Sequence, residues 1–338
     1  MHEAIAALLD GRAEVDLATW RSLWDRLEAG ALDQGEAVAL LASLATRLPG
    51  HETLRALLDS MRERRPAPAV SWAGSVNVVG TGGGPKTFNV STAAAFVAAA
   101  AGVQVVKTGS RAYTSGVGSI DLLERLGVPL TRSYEQTGEL LERRGIAFAG
   151  PFVYPPVLTR LARTIVPLGM RPFGGFLNAL GPLLPALPVT AQVTGVSRRV
   201  PLDALRRLAG PGIWLCSNDA GADELLPFAD NVVHAGGREI RLARGELVPG
   251  AGSLADLSPA PDVVSHFLRV ISGTAGDVAT RTVCLNAAAL AVASGHIPDW
   301  RTAVEAAEDA VASGAARALA DSMRIRRQSL LVGASTRA

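Results

Sequence analysis

Cysteine, aromatic residues and long apolar runs are all scarce in this chain. Only Cys216 and Cys284 occur, far apart and without the CxxC or Cys/His spacing of a metal site. A disulfide framework and a zinc site are therefore not indicated, and we expect two buried thiols in a reducing compartment. One of the most apolar windows, residues 91–106, is interrupted by Gly102 and Gln104 and is too short to span a bilayer.

Charge of a single sign is lacking as well. Lys and Arg number 33 against 31 Asp and Glu, which gives a net charge of +2, and the basic residues form no long run. Nucleic acid is therefore not an expected partner. The N-terminus meets acidic residues at once and lacks the basic start and apolar stretch of a signal peptide. Together these features predict a soluble, cytoplasmic protein without a membrane partner.

The chain does have enough apolar sequence for a sizeable core, since 48% of its 338 residues are hydrophobic and 19% are charged. From residue 1 to about 65 the apolar residues recur at helical spacing, with Asp16 and Asp33 where N-caps belong. The segment Arg-Pro-Ala-Pro at 65–68 cannot continue a helix and is interpreted as a hinge. The sequence thus predicts a helical domain over residues 1–68.

Beyond the hinge, short β-branched runs alternate with longer helical ones. The predicted strands are 76–79, 103–107, 146–149, 189–196, 213–216, 231–234 and 239–242. This alternation implies a largely parallel sheet covered by helices. Gly236 and Gly237 separate the last two runs, so an antiparallel hairpin is expected at one edge. The predicted fold class is α/β: a small all-helical domain plus a larger α/β domain with a mostly parallel central sheet flanked by helices.

The sharpest motif is a glycine-rich loop, GTGGGPKTFNVST at residues 80–92, between a predicted strand and a predicted helix. Glycines let several backbone N–H groups converge, and Ser91 and Thr92 stand where a helix N-terminus favours an anion. The spacing is neither that of a Walker A motif nor that of a GxGxxG dinucleotide site. We interpret the segment as a phosphate-binding loop.

Two further segments follow other predicted strands. The loop at 107–119 can bring Lys107, Ser115 and Ser119 toward the first loop, because neighbouring strand ends face the same crevice. Asp223 and Glu224 follow the strand at 213–216. Adjacent carboxylates suit Mg²⁺, which prefers oxygen ligands and is usually shared with substrate phosphates. The sequence therefore predicts a magnesium site beside a phosphate site.

Taken in order, these motifs resemble those of the anthranilate phosphoribosyltransferases of tryptophan biosynthesis and, more distantly, those of the pyrimidine nucleoside phosphorylases that share their fold. The matching segments are GTGGG at 80–84, NVST at 89–92, KTGS at 107–110, FLNALGPL at 176–183, the Asp223-Glu224 pair and LNAAA at 285–289. The resemblance implies a homodimer formed through the helical domain. It also implies a site for the donor, phosphoribosyl pyrophosphate, in the cleft between the two domains.

Domain boundaries and site residues follow from the same resemblance. The helical domain is expected to take a further contribution from about 155–188, and the α/β domain to comprise 69–154 and 189–338. Lys107, Asp223 and Glu224 are the expected catalytic residues, with Ser91, Asp223 and Glu224 as the Mg²⁺ ligands. The expected donor-binding residues are Gly80, Thr81, Gly82, Gly83, Thr87, Asn89, Ser91, Thr92, Lys107, Ser115 and Ser119.

Departures from the family pattern concentrate where acceptor recognition is expected. The family's Asp after GTGG is Gly84 here. Two histidines of the family are replaced by Thr108 and Tyr154, and an asparagine of the family is replaced by Ser110. The acceptor is therefore left open between anthranilate and a related small aromatic compound. The candidate acceptor-binding residues are Arg163, with Arg171 as its alternative for meeting a carboxylate, and Thr108, Ser110 and Tyr154.

The predicted function is magnesium-dependent transfer of 5-phosphoribose from phosphoribosyl pyrophosphate to this acceptor. No histidine lies in the three loops, so catalysis is expected to depend on positioning and on electrostatic stabilisation of an oxocarbenium-like sugar. Two alternatives remain. One is a nucleoside phosphorylase-like enzyme that uses free phosphate, and the other is a ligand- or nucleic-acid-binding relative without catalysis.

Overall fold

The computed structural model describes residues 1–11, 13–65, 67–109 and 117–324 of the chain. The helices are α1 Glu3–Asp10, α2 Leu17–Glu28, α3 Gln34–Thr46, α4 His51–Arg62, α5 Val90–Ala100, α6 Ser119–Leu126, α7 Tyr134–Arg144, α8 Pro156–Thr164, α9 Gly174–Leu180, α10 Leu202–Leu208, α11 Val263–Val270, α12 Asp277–Ser294, α13 Trp300–Ala312 and α14 Ala315–Met323. The strands are β1 Trp72–Gly80, β2 Gln104–Lys107, β3 Ile146–Phe148, β4 Val189–Gly195, β5 Ile213–Asn218, β6 Asn231–Ala235 and β7 Arg238–Leu242. The predicted α/β fold class with a helical N-terminal region is confirmed.

Helices α2 and α3 begin where the sequence places a short acidic side chain. Asp16 Oδ1 accepts a hydrogen bond from the Thr19 N–H at 2.8 Å, and Asp33 Oδ1 accepts one from the Glu36 N–H at the same distance. Each carboxylate thus satisfies one of the free N–H groups at the start of a helix. Gly30 follows α2 with a φ of 70°, and Gly50 is the N-cap residue of α4.

Seven strands form one sheet in the order β3-β2-β1-β4-β5-β6-β7. The five strands from β3 to β5 are parallel, and β6 and β7 add two antiparallel pairs. The predicted hairpin is present, with φ values of 54° at Gly236 and 82° at Gly237. The antiparallel pairing of β5 with β6 was not predicted. It arises because residues 219–230 return the chain without a helix of their own, and a parallel crossover normally needs one.

The parallel arrangement places four strand ends at one edge of the sheet. β1 ends at Gly80, β2 at Lys107, β4 at Gly195 and β5 at Asn218. The loops that follow these strands therefore emerge side by side, which is where ligands bind in open α/β sheets. The fold in this way brings together segments that are more than a hundred residues apart in the sequence.

Small side chains let two helices lie close against one face of the sheet. α5 is alanine-rich and buried almost throughout, and it packs against α12 and the strands. Phe96 is the large exception in α5, and its ring centroid lies 5.3 Å from that of Phe148 and 5.9 Å from that of Phe267. This aromatic cluster joins α5 to β3 and to α11.

A second apolar cluster joins the N-terminal helices to the segment around α8 and α9. Trp20 and Trp24 of α2 stack with centroids 5.8 Å apart, and the Trp24 indole N–H donates to Ser60 at 2.8 Å. The cluster continues through Leu161 and Phe176 and reaches Leu215 on β5. The domain boundaries near residues 68, 154 and 188 stay predictions. Within the described ranges no helix has the length and apolarity needed to cross a membrane.

Replacement of Phe96 by alanine is expected to destabilise the protein strongly. Phe96 is fully buried, so the variant loses an aromatic side chain and leaves a cavity, at a cost of about 3–5 kcal/mol. Urea unfolding followed by far-ultraviolet circular dichroism would measure the loss. Leu9→Ala is the control, because Leu9 is 56% exposed and its removal is expected to cost less than about 0.5 kcal/mol. Equal midpoints for the two variants would contradict the described core.

Candidate active site

The glycine-rich loop leaves β1 in direct contact with Asp223. A Cβ added to Gly80 would lie 2.3 Å from Asp223 Oδ2, and one added to Gly195 would lie 1.6 Å from the Asp223 backbone oxygen. The Gly195 contact is with backbone, so glycine is required there, whereas a side chain at Gly80 would displace the Asp223 carboxylate from its position. The absence of these two side chains allows the acidic segment to reach the edge of the sheet.

The carboxylate of Asp223 is held by the loop that it contacts. The Gly82 N–H donates to Asp223 Oδ2 over 2.7 Å, from a loop residue with a φ of 64°. Two asparagine side chains fix the backbone around this carboxylate. The Asn218 side chain donates to the Glu224 carbonyl at 2.7 Å. The side chain of Asn286 on α12 accepts from the Leu225 N–H at 3.0 Å and donates to the Leu225 carbonyl at 2.8 Å. Asn286 belongs to the LNAAA segment, so this landmark positions the acidic pair.

Glu224 lies deeper than its neighbour, with 8% of its surface exposed. The Thr87 hydroxyl donates to Glu224 Oε1 at 2.5 Å, while Oε2 is buried without a hydrogen-bond partner among the described residues. Burial raises the pKa of Glu224 well above its ordinary value, and the nearby charge of Asp223 raises it further. The pKa of Asp223 is also raised by burial, against the opposing effect of the Gly82 N–H.

Lys107 brings a buried positive charge to the same place. Its ammonium group donates to the Val78 carbonyl and to the Ser91 hydroxyl, both at 3.2 Å, and 3% of the residue is exposed. Burial lowers the pKa of Lys107 to about 8, and the charge of Asp223 opposes that shift. At pH 7 the side chain is therefore mostly protonated and available to an anion.

A cleft of about 270 Å³ lies between these groups. Most of the predicted site residues line it: Gly80, Thr81, Gly82, Gly83, Thr87, Asn89, Ser91, Lys107, Ser119, Asp223 and Glu224. The structure thus unites the glycine loop, the end of β2, the start of α6 and the acidic pair. Ser110 and Ser115 lie outside the described residues.

Three lining residues with polar or charged side chains were not predicted to act in the site. Asn178 of α9 and Arg199 after β4 face the glycine loop, and a Cβ on Gly83 would lie 3.1 Å from the Asn178 amide and 3.8 Å from Arg199 Cδ. Lys86 lies on the loop itself. Arg199 follows a parallel strand end, a position that could have identified it. The two lysines of the cleft are the only lysines in the chain, and this composition is a second signal for the site.

Three threonines that were predicted to bind the donor or the acceptor have buried side chains. The Thr81 hydroxyl accepts a hydrogen bond from the Ser197 N–H at 3.0 Å. Thr92 is fully buried in α5, and Thr108 is fully buried with its hydroxyl donating to Asn77 Oδ1 at 3.2 Å. Thr92 and Thr108 do not line the cleft, so a direct contact between either side chain and a ligand is not supported.

The remaining acceptor candidates lie apart from the cleft. Arg163 and Arg171 are exposed, and Tyr154 is partly buried at the junction of two apolar clusters. None of the three lines the cleft between the glycine loop and the acidic pair. Their assignment to the acceptor stays a prediction from the family resemblance.

Gly84, at the position of the family's Asp, has no room for a side chain. A Cβ there would lie 2.9 Å from Ser197 Cβ and 3.1 Å from the Gly221 carbonyl oxygen. The Ser197 hydroxyl also donates to the Gly82 carbonyl at 2.7 Å, which fixes the loop against the segment after β4. The missing carboxylate is therefore accommodated by close packing of the loop.

The acidic pair has the chemistry of a partial magnesium site. Two adjacent carboxylates offer oxygen ligands, and the unpartnered Glu224 Oε2 would gain a partner from a bound cation. In the part of the chain that the structure describes, no group of three or more His, Cys, Asp or Glu side chains could hold a metal. Such a group is not needed when substrate phosphates supply the other ligands.

Comparison with known proteins defines the class to which this fold and cleft belong. A family model described as the glycosyl transferase family a/b domain matches residues 73–317. This range contains the glycine loop, Lys107 and the acidic pair. The molecule is accordingly a glycosyltransferase, of the pentosyltransferase type.

Individual relatives narrow the class. The anthranilate phosphoribosyltransferase of Thermus thermophilus is 34% identical over 297 residues, covering 86% of this chain and 89% of the relative. That of Novosphingobium aromaticivorans is 34% identical over 334 residues, with coverages of 94% and 92%. A crystal structure of the Thermus thermophilus enzyme superposes with a TM-score of 0.76 at 31% identity, covering 96% of this chain and 98% of that one. The chain belongs to the anthranilate phosphoribosyltransferase family.

A more distant structure shares the fold. The Saccharomyces cerevisiae anthranilate phosphoribosyltransferase, in complex with PRPP and Mg, gives a TM-score of 0.72 at 21% identity, with 91% of this chain and 90% of that chain covered.

The variant Glu224→Gln is expected to be more thermostable than the parent protein at pH 8 in the absence of ligands. The raised pKa of Glu224 means that the folded state disfavours its ionised form. The stability contributed by its protonation is therefore fully present below about pH 4.5, the ordinary pKa of the group, and is lost as the pH rises through the raised pKa of the folded state. The glutamine is neutral at every pH, and its oxygen can still accept from Thr87. The stability gap should therefore close as the pH falls toward 5.

Thermal unfolding of both proteins between pH 5 and pH 8 would measure this gap. Glu142→Gln on α7 is the matched control, because Glu142 is exposed and does not line the cleft. A gap that is constant with pH, or that matches the control, would show that Glu224 is not disfavoured as a buried anion.

Proposed function

We propose that the protein transfers 5-phosphoribose from phosphoribosyl pyrophosphate to anthranilate or a related small aromatic amine, with Mg²⁺ bound at Asp223 and Glu224. The observation that carries the proposal is the convergence of the glycine loop, Lys107 and the two carboxylates on one cleft. Backbone N–H groups and an ammonium suit the donor's phosphates, and the carboxylates suit a cation shared with them. The similarity of the chain to the anthranilate phosphoribosyltransferases of Thermus thermophilus and Novosphingobium aromaticivorans supports the same reaction.

The donor's pyrophosphate is proposed to lie along the loop from Gly80 to Gly83, with Ser91 and Asn89 at the start of α5 as further donors. In the reaction the acceptor nitrogen forms a bond to C1 of the ribose as the bond from C1 to the pyrophosphate oxygen breaks. Pyrophosphate leaves with the electron pair, and the acceptor nitrogen releases a proton to solvent. Attack from the face opposite the leaving group inverts the configuration at C1.

Lys107 and Mg²⁺ have complementary parts in this scheme. Asp223 and Glu224 would hold Mg²⁺, which would neutralise charge on the pyrophosphate and so make it a better leaving group. The Lys107 ammonium stabilises the charge that develops as pyrophosphate departs, in a buried place where such an interaction is strong. Arg199 and Lys86 add positive charge to the lining of the cleft.

The acidic pair also favours this reaction over phosphorolysis. A phosphorylase that uses free phosphate has no need for two carboxylates beside the anion, since their charge repels it. With a polyphosphate and a divalent cation, the same carboxylates become ligands. A homodimer through the helical region and a cytoplasmic location remain predictions from the family resemblance.

Calorimetric titration of phosphoribosyl pyrophosphate tests the donor site. Binding is expected with Mg²⁺ and is expected to weaken at least about tenfold without it, or in Asp223→Asn with it, because a charged ligand contact is lost. Asp223→Asn keeps the shape of the side chain, and Glu142→Gln serves as a control with parental affinity. Equal affinity with and without Mg²⁺ would remove the proposed role of the acidic pair. Absence of donor binding in both conditions would overturn the transferase proposal.

The acceptor arginine can be identified by steady-state kinetics with anthranilate. We expect Arg163→Ala to raise the KM for anthranilate about tenfold or more with little change in the KM for the donor, because a charged hydrogen bond to the acceptor carboxylate is lost. Arg171→Ala tests the alternative, and Arg160→Ala on the exposed face of α8 is the control. Parental values in both Arg163→Ala and Arg171→Ala would exclude both arginines from acceptor recognition.

A further inference from the structure

A second cavity, of about 320 Å³, lies beside the donor cleft and is here called the Phe88 cavity. The segment from Lys86 to Asn89 lines both spaces, whereas the acidic pair and Lys107 line only the cleft. The segment is thus a common wall. It is fixed by a hydrogen bond of 2.8 Å from the Phe88 N–H to the Leu257 carbonyl.

The walls of the Phe88 cavity are apolar and aromatic. Phe88 meets His266 edge to face, with ring centroids 5.1 Å apart. Phe267 and Val263 of α11 and the segment Pro259–Pro261 complete the apolar lining. Such a surface suits a flat, apolar ligand body of modest size.

The polar groups that line the cavity favour a ligand of negative charge. Lys86 and Arg125 are its only charged lining residues within the described chain, and neither forms an ion pair there. His266 Nε2 is buried without a hydrogen-bond partner among the described residues, and burial lowers the pKa of His266. Two cations and one unsatisfied imidazole nitrogen, without a lining carboxylate, favour an anionic ligand.

Acidic side chains near the cavity already have partners. Asp262 caps α11 by accepting from the Ser265 N–H at 3.0 Å, and Asp121 accepts from the Gly118 N–H at 2.8 Å. Glu124, next to Arg125, also has an interaction of its own. These carboxylates do not line the cavity, so its two cations remain available to a ligand.

We propose that the Phe88 cavity binds a small aryl carboxylate as an effector, and that its occupation weakens binding of the donor in the cleft. The second part rests on the proposed function. Lys86 lines both spaces, and its ammonium cannot fully serve an effector carboxylate and a donor phosphate together. The negative charge of the effector also repels the pyrophosphate across the common wall. The coupling is reciprocal, so the donor weakens effector binding by the same factor.

The test uses 3-phenylpropionate as the probe, titrated into the full chain by calorimetry without donor. Its carboxylate is two methylenes from the ring, which distinguishes it from a benzoate-type acceptor. Binding is expected, and Arg125→Gln should weaken it about tenfold through loss of a charged contact. Ala260→Phe, which fills the cavity from a loop, should abolish it. The neutral 3-phenylpropionamide should bind at least about tenfold more weakly.

Arg144→Gln is the matched control, because Arg144, like Arg125, is an exposed arginine in the last turn of a helix. Its affinity for the probe should equal that of the parent. Thermal unfolding of each variant shows that the fold is intact, and Arg125→Gln keeps the test valid should Ala260→Phe fail to fold. Absence of probe binding, or binding unaffected by Arg125→Gln and Ala260→Phe, would overturn the proposal.

The coupling is measured by repeating the donor titration with Mg²⁺ and saturating 3-phenylpropionate. Donor affinity should fall about fivefold in the parent protein, which is the lower end of typical allosteric coupling. In Ala260→Phe the probe should leave donor affinity unchanged. An unchanged donor affinity in the parent would overturn the effector role. Failure of the donor to bind without the probe would reject the proposed function, a result separate from probe binding to the cavity.

Discussion

The contact between Asp223 and the ends of β1 and β4 is the constraint on which the site depends. Gly80 and Gly195 leave the space for this segment, and the Gly82 N–H then fixes the carboxylate at 2.7 Å. Because β1 and β4 are adjacent and parallel, one short acidic segment can touch both. The glycine loop and the carboxylates are therefore parts of one rigid arrangement, in which neither is placed without the other.

This arrangement concentrates buried charge at the sheet edge. Lys107 and Glu224 are both nearly inaccessible, and burial shifts the pKa of each toward its neutral form. In a protein without ligand such groups oppose folding, since their ionised forms lose hydration that their partners do not fully replace. The apolar cluster around Phe96 and the alanine-rich contact between α5 and α12 supply the stability that offsets this cost. A charged ligand bound with its cation would lower this cost of buried charge, so ligand binding would increase the stability of the folded protein.

Much of the architecture could be predicted from the sequence, because the strands are recognisable from β-branched runs and the glycine loop from its composition. The direction of β6 relative to β5 could not, since it depends on the short return after Asn218 and not on the strands themselves. Burial of Thr108 was hidden as well. Its hydroxyl serves a chain of side-chain amides, in which Asn77 donates to Gln192 at 2.8 Å and Gln192 donates to the Pro182 carbonyl at 2.8 Å. Such partners come from distant segments and leave no local pattern.

The distribution of cations in the chain has a chemical consequence. Thirty-one of the 33 basic residues are arginines, by subtraction of the two lysines, and both lysines lie at the cleft. Guanidinium groups are inert toward aldehydes and mild acylating reagents at neutral pH, whereas amines react once they are unprotonated. Lys86 is exposed, and Lys107 is buried with a pKa of about 8. The protein therefore offers such reagents only two side-chain amines, both at the cleft, and the two differ in accessibility.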